Sequence, residues 1–173
     1  MASHKITLAL ILFLTLFTYS NARLGPIKET ELTVYFQDYS SGPNATVIEC
    51  PPPSSGLNFS TFGAMFCADD PITEGFEDSS ALIARGRGLN VISSLDGSSA
   101  HVMLSIVFIG GKYNGSSIEI YGNDPRTGYR EVPVVGGTGK FRLARGYATF
   151  ETLNFDPVRS HATIRSNLTV LHY

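Results

Sequence analysis

The 173-residue chain contains no tryptophan, only two cysteines and few charged side chains, which make up 16% of its residues. Two cysteines cannot build the framework of a small disulfide-rich protein. Thirteen Lys and Arg stand against fifteen Asp and Glu, which gives a net charge of −2. A protein that bound nucleic acid electrostatically would need a basic surface, so this balance argues against that class. The apolar content of 43% is too high for a disordered chain, and the length fits one folded domain.

The long apolar run at the N-terminus has the features of a secretory signal peptide. Lys5 precedes the apolar stretch 6–17, and Ser20-Asn21-Ala22 provides a small-x-small cleavage signature. The apolar stretch is shorter than the ~20 residues that span a bilayer, which disfavours a signal anchor. We therefore predict that residues 1–22 are removed, that the protein is secreted, and that no later segment enters a membrane.

A secreted location makes two covalent modifications available. Four N-x-S/T sequons are candidate glycosylation sites: Asn44, Asn58, Asn114 and Asn167. Chance occurrence in a Ser/Thr-rich sequence is the alternative explanation for them. An oxidising compartment also permits a bridge between Cys50 and Cys67. Two unpaired buried thiols would fit the sequence as well.

Alternation of apolar and polar residues dominates the rest of the chain and predicts strands. In the segment 162–173, Ala162, Ile164, Leu168 and Val170 share one face, whereas 101–109 is more continuously apolar. The other predicted strands are 31–37, 46–49, 63–68, 82–93, 117–121, 131–135 and 141–155. Turn signals separate them, among them Asp96-Gly97, Asn114-Gly115 and a predicted tight turn at 136–139.

Eight or nine strands with short turns and no long amphipathic helix favour an antiparallel barrel or sandwich. We expect one all-β domain over residues 31–173, preceded by a loose arm at 23–30. About 150 residues suffice to bury a core around an internal pocket.

Motifs of the common catalytic classes do not fit. A phosphate-binding loop needs Ser or Thr after Gly139-Lys140, but Phe141 follows. The histidines at 101, 161 and 172 have no metal-ligand spacing. We find no G-x-S-x-G elbow or catalytic-cysteine signature and no flavin, haem or nicotinamide site. We therefore predict no metal and no cofactor.

Seven phrases carry a family resemblance. In chain order they are Val34-Tyr35-Phe36-Gln37-Asp38, Asp69-Asp70-Pro71-Ile72-Thr73-Glu74-Gly75, Asp96-Gly97-Ser98-Ser99, Lys112-Tyr113-Asn114-Gly115-Ser116, Arg130-Glu131-Val132-Pro133-Val134-Val135-Gly136-Gly137-Thr138-Gly139-Lys140-Phe141, Ala144-Arg145-Gly146-Tyr147-Ala148 and Val170-Leu171-His172-Tyr173. This pattern, which runs from about residue 33 to the C-terminus, resembles the plant dirigent proteins.

The resemblance implies an eight-stranded antiparallel β-barrel of the dirigent and allene oxide cyclase type, usually a homotrimer in the apoplast. It implies a phenolic radical or quinone methide as ligand, with oxidation done by a separate laccase or peroxidase. The predicted function is stereoselective phenoxy-radical coupling of monolignol-type phenols, as in lignan biosynthesis. The alternatives are a quinone-methide dehydratase and cyclase of the pterocarpan-synthase type, and a non-catalytic cell-wall protein that binds phenolics or polysaccharide.

By motif position, the family's functional residues fall on Asp38, Asp124, Arg130 and Thr152. A carboxyl in an apolar lumen stays protonated more easily than in water, and an arginine fork can hold a carboxylate or an oxyanion. Asp69 is a secondary candidate. Without the resemblance, Asp38 and Asp124 would be interpreted as turn residues, and Arg130 and Thr152 as ordinary strand residues.

One segment departs from the family pattern. Lignan-forming members commonly carry tyrosine where this chain has Asn90 and Ile92, and Arg87 replaces the usual glutamine. An aromatic wall of the pocket is therefore missing. This departure weighs against pinoresinol formation specifically and leaves room for another phenolic substrate.

Overall fold

A computed structural model describes residues 6–7, 11–13, 25–50 and 58–173. The strands are β1 Lys28–Tyr39, β2 Val47–Glu49, β3 Met65–Thr73, β4 Leu82–Ile92, β5 Ala100–Phe108, β6 Ser117–Asp124, β7 Arg130–Thr138, β8 Arg145–Asp156 and β9 His161–His172. Two 3-10 turns, Gly111–Tyr113 and Gly139–Phe141, join β5 to β6 and β7 to β8.

The strands close into an antiparallel barrel. β3 to β9 pair in sequence order, β9 pairs with β1, and β1 pairs with β3 through Tyr35–Thr73 and Phe36–Ile72. β2 is a short extra strand that pairs only with β3. The barrel therefore has eight strands, and the predicted fold class is confirmed.

One end of the barrel is closed by aromatic packing. Phe141 lies against Phe108, Tyr113 and His172, with ring centroids 5.7, 4.8 and 5.2 Å away. The described turns 111–113 and 139–141 cap this end. Further along the lumen from this cap, Gly86 leaves room for Phe36, since a Cβ on Gly86 would lie 2.5 Å from the Phe36 ring. The free space of the lumen is thereby confined to the other end.

Several predicted boundaries move. β3 continues past residue 68 through Asp69, Asp70 and Pro71. Charge and proline look like a strand end, but the Asp69 amide points toward Thr46, at 2.9 Å from its carbonyl oxygen. Alternate amides of a strand point the same way, so an amide at position 71 would point to the same side as that of Asp69. β1 does not pair with β3 at this position, so proline costs no ladder hydrogen bond there.

The segments 136–144 and 28–30 also differ from prediction. Gly136 and Gly137 are strand residues, paired with Glu119 and Ile118 beside a bulge in β6–β7. The segment 141–144 is a tight turn rather than the start of β8. In the predicted arm 23–30, residues 28–30 belong to β1, because they pair with 170–172 of β9.

The covalent predictions have the following places in the structure. Cys50 and Cys67 form a disulfide that ties the end of β2 to β3. All four sequon asparagines are exposed. Asn44, Asn58 and Asn114 lie in loops, whereas Asn167 lies within β9, where its Oδ1 accepts a hydrogen bond from Thr33. Most of the predicted leader, including its cleavage signature, lies outside the described residues. In the part of the chain that is described, no helix is long and apolar enough to span a bilayer.

Candidate active site

A cavity of about 250 Å³ occupies the end of the lumen opposite the aromatic cap. Its apolar wall has seven aliphatic side chains and four aromatic ones, Phe36, Phe59, Phe66 and Phe150. Its polar lining consists of Asp38, Asp70, Asn90, Asp124, Arg126, Arg130 and Thr152. An apolar cavity with a few polar groups is the usual form of a small-molecule site.

The four residues identified by motif position all line this cavity, although the sequence scatters them. Asp38 lies near the end of β1, Asp124 ends β6, Arg130 begins β7 and Thr152 lies near the end of β8. Neighbouring strands of an antiparallel barrel run in opposite directions, so the end of one strand and the beginning of the next lie at the same rim. The fold therefore brings these side chains to the same opening.

Arg130 and Asp124 form a two-point ion pair inside this opening. Arg130 Nε donates to Asp124 Oδ1 at 2.9 Å and Nη2 donates to Oδ2 at 2.5 Å. The Arg130 Nη1 group donates to Thr152 Oγ1 at 3.4 Å, and the guanidinium lies 5.7 Å from the centroid of Phe150. The guanidinium is thus held in one orientation while one of its nitrogens faces the exposed Thr152 at the rim.

Asp38 faces the cavity and is partly buried. Burial raises the pKa of its carboxyl from 3.8 to about 6. No side-chain hydrogen bond or ion pair to this carboxyl is found within the described residues. A carboxyl of this kind is available to exchange a proton with a bound molecule near neutral pH.

A second carboxyl, which sequence reasoning missed, lies at the same place. Asp70 is 6% exposed, lines the cavity and accepts a hydrogen bond from Thr46 Oγ1 at 2.6 Å. Burial, and then the negative charge of Asp38, raise the pKa of Asp70 well above its usual value. Phe66, Ala68 and Asp70 alternate along β3 toward the cavity, so strand parity was the signal that could have identified it.

The secondary candidate Asp69 belongs to the other face of β3 and is exposed. Its Oδ1 accepts from Arg85 Nε at 2.7 Å and from Arg87 Nε at 3.2 Å. Desolvation is the largest single influence on the pKa of Asp69 and raises it, but the hydrogen bonds and charges of Arg85 and Arg87 together outweigh it, so the pKa is lowered. Asp69 therefore does not line the cavity, and Arg87 lies on the outer surface with it.

Arg126 and Phe59 shape the opening on the side of β3 to β5. Arg126 Nη1 donates to the carbonyl oxygens of Phe59 and of Gly97, the latter at 3.0 Å. Phe59 stacks on Phe66 with ring centroids 4.5 Å apart. Asn90, the position that departs from the family pattern, is the cross-strand neighbour of Phe66 and faces the cavity.

Gln37 points away from the cavity into a buried polar cluster on the outside of β1. Its Nε2 donates to Thr73 Oγ1 at 2.9 Å and to the Phe76 carbonyl at 3.1 Å. Its Oε1 lies 2.9 Å from His161 Nε2 and accepts from Thr163 at 3.3 Å. The residue next to Asp38 thus fixes β1 to β3, β9 and the 74–81 loop without touching the lumen.

A family model described as dirigent-like protein matches residues 29–171 of this chain. The chain belongs to the dirigent-like protein family. Dirigent protein 7 of Arabidopsis thaliana is 39% identical over 147 residues, which cover 84% of this chain and 78% of that relative. Pterocarpan synthase 1 of Glycyrrhiza echinata is 33% identical over 149 residues, which cover 84% of this chain and 79% of that relative.

Solved dirigent structures share the fold. The structure of the pterocarpan synthase dirigent protein GePTS1 superposes with a TM-score of 0.77 at 31% identity and covers 85% of this chain and 86% of that one. That of PsPTS1 gives 0.76 at 32% identity, with 84% and 96% covered. The lumen of this dirigent protein offers two chemical elements: carboxyls with raised pKa beside β1 and β3, and an oriented guanidinium beside β7.

Proposed function

We propose that this dirigent protein binds a phenolic quinone methide in its lumen and directs the stereoselective attack of an internal hydroxyl that closes a ring. The reaction moves one proton onto the quinone-methide carbonyl oxygen and removes one from the attacking hydroxyl. The carbonyl becomes a phenol, a C–O bond forms, and no electrons are exchanged with any other molecule.

The observation that carries the proposal is the combination, in one apolar cavity, of Asp38 with its pKa near 6 and the fixed Arg130 guanidinium. A proton-transfer group with a pKa near the working pH accelerates such steps by about 10²–10⁴-fold. The guanidinium, oriented by Asp124 and adjacent to Thr152, is suited to hold the phenolic oxygen on which negative charge develops.

The same residues serve two origins of the quinone methide. In the pterocarpan-type reaction, the hydroxyl of an isoflavanol takes a proton from a protonated carboxyl and leaves as water, while the phenolic proton passes to a carboxylate. In the coupling reaction, a separate laccase or peroxidase forms phenoxy radicals, and their coupling gives the quinone methide. The cavity of about 250 Å³ is smaller than most ligand pockets, which span roughly 300–1,000 Å³, and its size favours the first origin with a single substrate.

The decisive experiment incubates the purified protein with a racemic isoflavanol without oxidant, and separately with coniferyl alcohol and an external laccase. Chiral chromatography follows the products. We expect enantioselective ring closure in the first incubation, lost by at least tenfold in Asp38→Asn. The matched control is Asp69→Asn, which removes a neighbouring carboxylate outside the cavity and should behave as wild type.

The two incubations separate the candidate functions. Selectivity only with laccase would assign phenoxy-radical coupling instead of dehydrating closure. Racemic or absent product in both, together with saturable binding of phenolics, would support a non-catalytic binding protein and contradict the proposal.

We also propose that the protein is secreted, as the signal-peptide pattern at its N-terminus indicates, and that it self-associates. An exposed apolar row crosses β5 to β8, where Met103 pairs with Tyr121 and Pro133 with Tyr147. Such a row suits burial against further copies of the chain. Light scattering on the mature protein tests a trimer, and Tyr121→Glu should shift it toward the monomer.

A further inference from the structure

We infer that Asp70 is a second proton-transfer residue, which shares one proton with Asp38 across the seam where the barrel closes. The inference rests on the proposed function and adds to it a residue that no motif position identified. It assigns donor and acceptor to two different carboxyls rather than to Asp38 alone.

The seam between β1 and β3 brings the two carboxyls to the same side of the cavity. β1 and β3 pair through Tyr35–Thr73 and Phe36–Ile72. Beyond these pairs Thr46 links the two strands, and the negative charge of Asp38 acts directly on Asp70. Side chains two residues apart on a strand share a face, so both point inward like Phe36, and both line the cavity.

Thr46 determines how Asp70 can be protonated. Its hydroxyl accepts a hydrogen bond from the Tyr39 amide at 3.0 Å and donates its single proton to Asp70 Oδ1 at 2.6 Å. The Thr46 backbone also bridges the seam, to Tyr39 on β1 and Asp69 on β3. Asp70 Oδ1 is thus occupied as an acceptor, which leaves Oδ2 to carry the shared proton.

The charged groups around the pair do not neutralise it. Among the charged groups, Asp38 opposes ionisation of Asp70 most strongly, Arg85 on β4 favours it to a lesser extent, and Asp69 opposes it least. Arg85 itself is bonded to Asp69 on the outer face. Across the lumen, Arg130 is paired with Asp124, and Arg126 is bonded to backbone carbonyls. Within the described residues, neither Asp38 nor Asp70 has an ion-pair partner.

Two close carboxyls in an apolar site titrate as a unit and retain one proton over a wide pH range. In the singly protonated pair, Asp70 O–H donates to the quinone-methide carbonyl oxygen, while the Asp38 carboxylate takes the proton of the attacking hydroxyl. After the ring closes, the proton resides on Asp38 and returns to Asp70. The pair ends the cycle with the same single proton.

The test compares wild type with Asp70→Asn, Asp38→Asn and the outer-face control Asp69→Asn. Asparagine keeps an oxygen for the Thr46 hydroxyl, so the fold around position 70 is retained. Initial rates of isoflavanol closure are measured from pH 4 to 9. In parallel, the side-chain carboxyl carbons of aspartate are titrated by carbon-13 NMR on the free proteins, which requires no substrate.

We expect a rate profile with two limbs for wild type and for Asp69→Asn, with the Asp70 limb of that variant at slightly lower pH because one negative charge near Asp70 is lost. Asp70→Asn should lower the rate by about 10²-fold, in the range of a lost general acid, and its profile should keep one limb. The wild-type titration should show two coupled steps, and Asp70→Asn should leave a single step for Asp38.

Two outcomes would overturn the inference. In the first, Asp70→Asn keeps both limbs and a rate within threefold of wild type, while Asp38→Asn is inactive; the proposed function then stands without Asp70. In the second, the wild-type titration shows Asp70 ionising independently in the ordinary range of aspartate. Independent failure of the proposed function would appear as wild-type inactivity toward the isoflavanol with the coupled titration intact.

Discussion

Arg130 and Asp124 are joined by two parallel hydrogen bonds of 2.9 and 2.5 Å at the mouth of the lumen, with side chains only 18% and 7% exposed. The pair differs from Arg165 and Glu151 on the outer face, whose side chains are 38% and 59% exposed. The first ion pair is shielded from solvent and the second is not, so the two pairs should contribute differently to the free energy of unfolding.

We predict that Arg130→Gln lowers the free energy of unfolding by about 3–5 kcal/mol, since it leaves the Asp124 carboxylate buried without its partner. The exposed control Arg165→Gln should cost at most about 1 kcal/mol. The double variant Arg130→Met/Asp124→Leu should be more stable than Arg130→Gln. Urea unfolding monitored by circular dichroism measures all three. Equal costs for the two single arginine variants would contradict this interpretation.

The location of this ion pair shows how far the sequence can lead. Alternation of apolar residues predicts most strands, because one face of each strand must pack inside the barrel. It does not predict that Asp124 and Arg130, separated by a turn, meet Thr152 from another hairpin. Their convergence is implied only by resemblance to a family, because strand tilt and barrel closure are set by long-range pairing.

Asp70 shows the opposite limit. Two adjacent acids followed by Pro71 look like a strand end, so the predicted strand stopped at residue 68. Extending β3 by parity would have placed Asp70 with Phe66 and Ala68 on the inner face. Burying a carboxyl is unfavourable unless it finds a hydrogen-bond partner, so the sequence alone argues against an inward-facing acid. In the folded protein the Thr46 hydroxyl is that partner and offsets part of the cost.

The raised pKa of Asp38 predicts how stability depends on pH. The folded carboxyl, with a pKa of about 6 against 3.8, binds more protons than the unfolded one between these values. Stability contributed by this group is therefore lost as the pH rises, by about 3 kcal/mol at 1.36 kcal/mol per pKa unit. Burial of Asp70 acts in the same direction.

Asp38→Asn should remove this loss. The variant and wild type should be about equally stable near pH 4, and the variant should gain about 3 kcal/mol over wild type by pH 8. His161, whose pKa is lowered by burial, acts in the opposite direction in both proteins and cancels in the difference. Urea unfolding at half-unit pH steps measures it. A difference that stays constant with pH would contradict the assignment.

The Cys50–Cys67 disulfide should stabilise the wall of the cavity that β2 and β3 provide. The bridge joins residues 17 apart, and Val47, Phe66 and Ala68 beside it line the cavity. We predict that Cys50→Ser/Cys67→Ser lowers the free energy of unfolding by about 3 kcal/mol, as expected for a loop of this length. Thermal melting with and without a phosphine reductant measures the effect.

The double serine variant is the control for that reductant. The reductant should lower the melting temperature of wild type toward that of the variant and leave the variant unchanged. Coincident melting curves for untreated wild type and the variant would show that the bridge does not contribute.

Asn90 should set the size of the substrate, because it lies in the cavity wall between Phe66 on β3 and Val102 on β5. Asn90→Tyr would place an aromatic ring in a cavity of about 250 Å³. We therefore predict that the variant binds an isoflavanol at least about tenfold more weakly, a loss of about 1.4 kcal/mol. Asn90→Ala should retain binding within threefold. Asn123→Tyr, on the outer face of β6, controls for the added tyrosine. Isothermal titration calorimetry measures the affinities. Unchanged binding by Asn90→Tyr would show that the ligand lies elsewhere, because a ring at position 90 cannot share the cavity with a bound phenol of that size.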